Sequence, residues 1–308
     1  KHTPSQGRHQ FVLDLTKKEV QDYVYQSVSS VLHSADISFL KWDCNRPFSD
    51  FPSGYSPFFH DYVLGLYRVL SRLSKEFPSV LFENCASGGN RYDLGMLSYF
   101  PQSWMSDDTD SFQRLYIQSG AALGYPQSTF SNHVAAKTSN QLLRFTSLDC
   151  KFDVAAFGVL GYELDLNDLT PLDCENLKKQ TRYYKEHRAL FQFGRFSEVE
   201  DFSEGNGQVW EVNDEKEAIV GRYEALQMPN PEEAHLTAVN LEKESRYHYE
   251  SRPESISLKK FGHLINMALP IHLAEEGVGV TILAKHKDMA SEVDQGELSG
   301  AALMSGGA

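Results

Sequence analysis

Between residue 11 and about residue 193, short apolar runs alternate with stretches of helical periodicity, and no other feature of the chain restricts its fold so tightly. Strands joined through helical crossovers run parallel, and a parallel sheet needs helices on its faces. The runs "FVLDL" (11–15), "ISFLKWD" (37–43), "VLFENCA" (80–86), "SWMSDD" (103–108) and "GVLGYELD" (158–165) read as strands. The first helix is expected to start at Thr16 as N-cap, with Glu19 completing a capping box, and to gather Val20, Tyr23, Val24, Val28, Val31 and Leu32 on one face. Further helices are expected over 58–77, near 91–99, over 111 to about 123 and over about 171–191, giving roughly six βα units.

Past Gly194 the pattern changes to short alternating runs, "GQVWEVND", "EAIVGRYEAL" and "AHLTAVNL", separated by Gly, Asn, Pro and Glu-rich turns. That is the pattern of antiparallel strands. The expected organisation is therefore an α/β portion over 1–194 and an antiparallel β domain over 195–308, its last ten residues a frayed tail.

A parallel sheet of this kind closes as a (β/α)8 barrel or opens as a doubly wound sheet. The doubly wound form should bring a Gly-rich phosphate turn after an early strand, whereas the first two strands here lead into "TKKEV" and "CNRPF". A barrel presents active-site groups at the C-terminal ends of several strands. Polar clusters stand at three such ends: "KWDCN" (41–45), "CASGGNR" (85–91) and "WMSDDTD" (104–110).

In the first cluster Lys41, Asp43 and Asn45 alternate and can share a strand face, so that a cation and an amide flank one carboxylate. A surface ion pair would use the same residues. The glycines of the second let a backbone approach a ligand, or simply make a βα turn. The third sets Asp107, Asp108 and Asp110 close together, which costs energy unless they serve a metal, a substrate, a solvated loop or a helix cap. Two carboxylates from different strand ends suffice for glycoside hydrolysis. Metal chemistry is disfavoured because His133 is the one histidine near the clusters and no ligand spacing accompanies it, and no GxSxG elbow supports a serine hydrolase.

Composition removes other classes. Basic residues number 29 against 42 acidic, a formal charge of −13, which disfavours nucleic acid and anionic membranes. No run reaches the ~18 apolar residues of a membrane span. Cys44, Cys85, Cys150 and Cys174 are widely spaced without a CxxC pattern, so free thiols in a reducing, cytoplasmic setting are expected.

"GRHQFVLDL", "FLKWDCNRP", "LFENCASGGNRYDLGMLSYFPQSWMSDDTD" and "FGVLGYELDL" through "YYKEHRALFQFG" together resemble, in order and spacing, the α-galactosidases of glycoside hydrolase family 36. The resemblance runs from about residue 4 to 196 and continues more weakly beyond. It implies a retaining hydrolase acting on terminal α-1,6-linked galactose, as in melibiose and raffinose, with Asp43 as nucleophile and Asp107 as acid/base. It implies substrate contacts from Arg8, Lys41, Asn45, Cys85 and Gly88, with Trp42 in the pocket wall or its support. It also implies no metal or organic cofactor, and a homo-oligomer, a tetramer by family habit. Asp108 and Asp110 are expected to hold the loop or cap the next helix.

The chain departs from the family pattern at Asn90, which replaces a glycine, in "HVAAKTSNQLLR" (133–144), and at Ala301 and Ala302. The leaving-group side of the pocket is the part that the first two changes would alter. Family members carry an upstream β-sandwich and further barrel strands, and the portion before residue 195 is short of the ~250 residues a complete barrel typically needs. The chain is therefore read as the C-terminal part of a (β/α)8 barrel plus a β domain, expected to be inactive alone. A galactosyltransferase of the raffinose or stachyose synthase type and a non-catalytic carbohydrate-binding relative are the alternatives.

Overall fold

The computed structural model describes residues 9–45, 48, 57–135, 139, 142, 144, 146–202, 205–214, 216–226, 229–230, 235–257, 288–290 and 293–307. Arg8, expected at the substrate, lies outside the described residues. The chain divides into two compact units, Lys1–Asp107 with Ser128–Ser131, and Asp108–Gln127 with Asn132–Ala308.

In the first unit, helix α1 (Lys18–Ser34) leads to strand β1 (Phe39–Asp43), α2 (Phe58–Glu76), β2 (Leu81–Cys85), the short α3 (Leu94–Leu97) and β3 (Gln102–Trp104). β1 and β2 pair parallel, with Lys41 opposite Glu83 and Asp43 opposite Cys85. β3 continues the parallel sheet through Glu83↔Gln102, and β4 (Phe130–Ala135) adds to it through Trp104↔Ser131. From β1 to β4 the strands follow in chain order.

The core of this unit follows from helical spacing. Leu66, Val69, Leu70 and Leu73 of α2 recur at three- and four-residue steps, and all are buried with Phe82 of β2 and Phe100. Val20, Val24 and Val28 of α1 pack on them and Leu32 is buried, as the periodicity predicts. Tyr23 and Val31 do not join them, being 63% and 57% exposed, because the buried stripe runs through Gln21, Ser29 and Leu32 and leaves them to one side.

Two expectations at the start of the chain fail. No strand forms over 11–15: Phe11 and Leu13 are exposed, and only Leu15 reaches the core. An extended run becomes a strand only where a neighbour satisfies its backbone, and among the described residues none pairs with this run. Nor does Thr16 cap α1. Its N–H and hydroxyl both go to Asp14 Oδ1, at 3.1 and 2.6 Å, forming an Asx-type turn, and Lys17 stands at the N-cap without a side-chain bond.

The second unit holds α4 (Ser111–Ala122), most of β4, α5 (Leu148–Ala155), β5 (Val159–Glu163) and α6 (Pro171–Phe193). α6 opens on a capping box in which Thr170 and Asp173 exchange side-chain-to-backbone bonds, with Pro171 at its first turn. Strands β6 (Arg195–Glu200), β7 (Gly207–Asn213) and β8 (Ala218–Glu224) form an antiparallel sheet. Its centre is Trp210, fully buried among Phe157, Phe196 and Tyr223. "AHLTAVNL" contributes no strand over its described residues, 235–241. β9 (Arg246–Glu250) pairs antiparallel with β12 (Gln295–Ser299), and β10 (Ser255–Ser257) with β11 (Asp288–Ala290).

The tail is structured. Ser299 caps a final helix, α7 (Gly300–Ser305), with Leu303 buried and the Gly300 N–H bonded to Ser245 O. Small residues weakened its pattern without removing its capability for helix.

Candidate active site

Each side chain at the site is placed by strand alternation. Along β1, Lys41 and Asp43 are exposed on one face while Trp42 turns to the other and packs with the α1–α2 core. Parallel register puts Glu83 and Cys85 of β2 beside Lys41 and Asp43.

Asp43 is surrounded by donors. Asn45 Nδ2 donates to its Oδ2 at 2.6 Å, and the Cys85 thiol and the Cys44 backbone N–H also hydrogen-bond it. Partial burial pushes its pKa up, but these donors and the Lys41 charge outweigh burial and leave it below the usual 3.8. The same contact works the other way on Cys85: burial, with Asp43 adding to it, pushes the thiol up to about 11. Cys85 is thus a protonated donor rather than a nucleophile at neutral pH.

A depressed carboxylate stabilises the fold most above its unfolded pKa, and that contribution is lost as pH falls through the folded value. The Asp43 carboxyl carbon, followed by NMR, is therefore expected to titrate below 3.8. Asn45→Ala should move that titration upward; a midpoint unchanged in the variant would show that the amide has no part in it.

Asn45 also reaches the next cluster, its Oδ1 accepting from Ser87 N at 3.1 Å and Ser87 Oγ at 3.2 Å. Loop 86–91 turns through left-handed backbone at Ser87 (φ 49°) and Gly88 (φ 83°). A Cβ on Gly88 would lie 3.0 Å from Ser106 Cα and 3.2 Å from Asp107 N, so glycine lets the loop press against the end of β3. Asn90, the departure from the family pattern, ties the turn by donating to Ala86 O at 2.8 Å and Ser87 O at 3.2 Å. Arg91 donates to Trp42 O at 3.1 Å and Cys85 O at 2.7 Å, joining the loop to both strands.

Asp107 is exposed just beyond β3, its Oδ1 accepting from Trp104 Nε1 at 2.9 Å. The loop at 86–91 therefore has Asp43's partners on one side and Asp107's backbone on the other. Of the nearby carboxylates, Asp108 accepts from Asp110 N at 3.0 Å, while Asp110 caps α4 through Gln113 N and pairs with Arg144 at 2.6 Å. Both hold structure, as expected. His133 faces Glu163 at 3.3 Å.

Four residues escaped the sequence reading: Glu83, Gln102, Trp104 and Ser131. Glu83 is 2% exposed, and its Oε2 accepts from Gln102 Nε2 at 2.6 Å and Ser131 Oγ at 2.7 Å. A charged residue in the middle of "VLFENCA", two positions from Cys85, was the available signal.

The melibiase family model matches residues 1–194. The chain belongs to the melibiase family. Among its melibiase relatives, α-galactosidase AgaA of Geobacillus stearothermophilus is 40% identical over 254 residues, 80% of this chain and 35% of that protein. α-Galactosidase 1 of Pediococcus pentosaceus is 42% identical over 214 residues, 68% of this chain and 29% of its own. The crystal structure of the Lactobacillus brevis α-galactosidase superposes with a TM-score of 0.77 at 42% identity, over 82% of this chain and 35% of that one. An AgaA variant in complex with raffinose gives a TM-score of 0.77 at 32% identity, over 96% of this chain and 40% of that one. The chain thus spans about a third of the length of the curated relatives it resembles. With family 36 structures as neighbours, its parallel sheet is part of an α/β TIM barrel.

Proposed function

We propose that this chain carries the catalytic carboxylates of a retaining α-galactosidase, Asp43 as nucleophile and Asp107 as acid/base, acting on terminal α-1,6-linked galactose. The observation that carries the reading is the asymmetry of the two groups. Asp43 sits among donors that favour its anion, while Asp107 stands exposed at the next strand end but one. Asp43 attacks the anomeric carbon as the C–O bond to the leaving group breaks, and Asp107 gives its proton to the departing oxygen. Water then releases galactose from Asp43 after losing a proton to Asp107, and two inversions give net retention. Lys41, Asn45, Cys85 and Gly88 would line the galactose ring. Complexes of AgaA variants with raffinose and with stachyose support this substrate class.

The test is proton NMR of the first sugar released from p-nitrophenyl α-galactoside by the natural polypeptide that carries these residues. α-Galactose should appear before mutarotation; initial β-galactose would refute the double displacement. Adding sucrose separates the synthase-type transferase, which would give mainly a new oligosaccharide. Residues 195–308 are read in the same proposal as a β-sandwich domain and the assembly as a homo-oligomer.

A further inference from the structure

Glu83 is nearly inaccessible, yet none of the proposed steps uses it. Its two oxygens are divided: Oε2 takes Gln102 and Ser131, while Oε1 lies 3.1 Å from the Lys41 ammonium. That ammonium also sits 4.6 Å from the centroid of Trp104, whose indole N–H holds Asp107. The Lys41 side chain as a whole is 34% exposed, so the residue is not sealed in beside Glu83.

A lysine head group is a compact charge on a flexible stem, and its placement is ordinarily costly in rotamer entropy. Here three things restrict it: the carboxylate from β2, the aromatic face from β3 and the strand that bears it. Gln102 and Ser131 in turn fix the carboxylate, so its rotamer is set before any ligand arrives. We propose that Glu83 is the positioning residue for Lys41, pre-setting the ammonium over Trp104 so that its remaining N–H donors meet a galactose hydroxyl. This rests on the α-galactosidase reading only for the identity of the sugar. The Glu83–Lys41–Trp104–Asp107 chain would also bring the supports of both proposed carboxylates under one buried anion.

The test uses Glu83→Gln, which keeps size and removes the charge. In nitrogen-15 spectra tuned to lysine ammonium groups, the Lys41 signal, assigned by its loss in Lys41→Arg, should be sharp in the parent protein. It should broaden or vanish in Glu83→Gln. On p-nitrophenyl α-galactoside, KM should rise about tenfold or more with a smaller change in kcat, and Glu83→Gln should cost little further in a Lys41→Met background. Glu83→Asp, which keeps the charge, should recover part of the loss. An unchanged Lys41 signal in folded Glu83→Gln, or additive losses in the double variant, would overturn the proposal. If the natural polypeptide that carries these residues does not hydrolyse the galactoside, the α-galactosidase reading fails while the ammonium spectrum still decides the role of Glu83.

Discussion

Asp43→Ala is expected to lower kcat/KM for p-nitrophenyl α-galactoside by about 10⁴- to 10⁶-fold, the scale on which removal of a covalent nucleophile acts. Asp43 is exposed at the end of β1, so the thermal midpoint should fall only by the share that its bonds to Asn45, Cys85 and Cys44 contribute. Azide then separates the two carboxylates. Added to Asp43→Ala it can replace the nucleophile and should give β-galactosyl azide, because one inversion remains. Added to Asp107→Ala it attacks the galactosyl-enzyme, which an activated phenol leaving group still allows to form, and should give the α-azide. Reversed stereochemistry would exchange the two roles; near-parent activity of Asp43→Ala would sink the assignment of the site.

Trp210→Ala should produce the largest stability loss. Trp210 is fully buried in β7, its ring centroid 5.3 Å from both Phe157 and Tyr223 and 5.8 Å from Phe196, with Nε1 donating to Ser119 Oγ at 3.1 Å. Truncation removes the largest apolar group of that core and leaves a cavity that three aromatic rings cannot close, at a cost of roughly 3–5 kcal/mol. Against a total of about 5–15 kcal/mol this is a large share. Urea unfolding followed by the retained tyrosines should shift to a midpoint lower by about 2 M. A shift below about 0.5 M would mean that the rings repack or that this cluster is not what unfolds cooperatively.

How much of this was legible depended on where the controlling interaction lay. α2, β2 and α6 were readable because the apolar runs and helical spacing that mark them are local. β4 and α5 were not: "FSNHVA" and "LDCKFDVA" have no clean period, since both are buried on more than one side. The run 11–15 looked like a strand because composition reports what a segment could pair with, not whether a partner is present. At the site, Lys41, Asp43 and Asn45 were found from alternation along one strand. Glu83 and Trp104 were not, because their significance arises only when β2 and β3 come into register beside β1.

The two-sided use of Asn45 has a chemical consequence. Its NH₂ faces the Asp43 carboxylate and its carbonyl faces Ser87 N, so the orientation of the amide is dictated and no other side chain of that length supplies both signs. Deamidation would turn that neutral connector into a second anion 2.6 Å from the first. Two carboxylates at such a distance share a proton, and the backbone N–H of Ser87 would be drawn towards the new charge. Preparations that fade on storage while keeping their melting temperature, and whose peptide spanning this residue gains one dalton, would be recording the hydrolysis of a single amide.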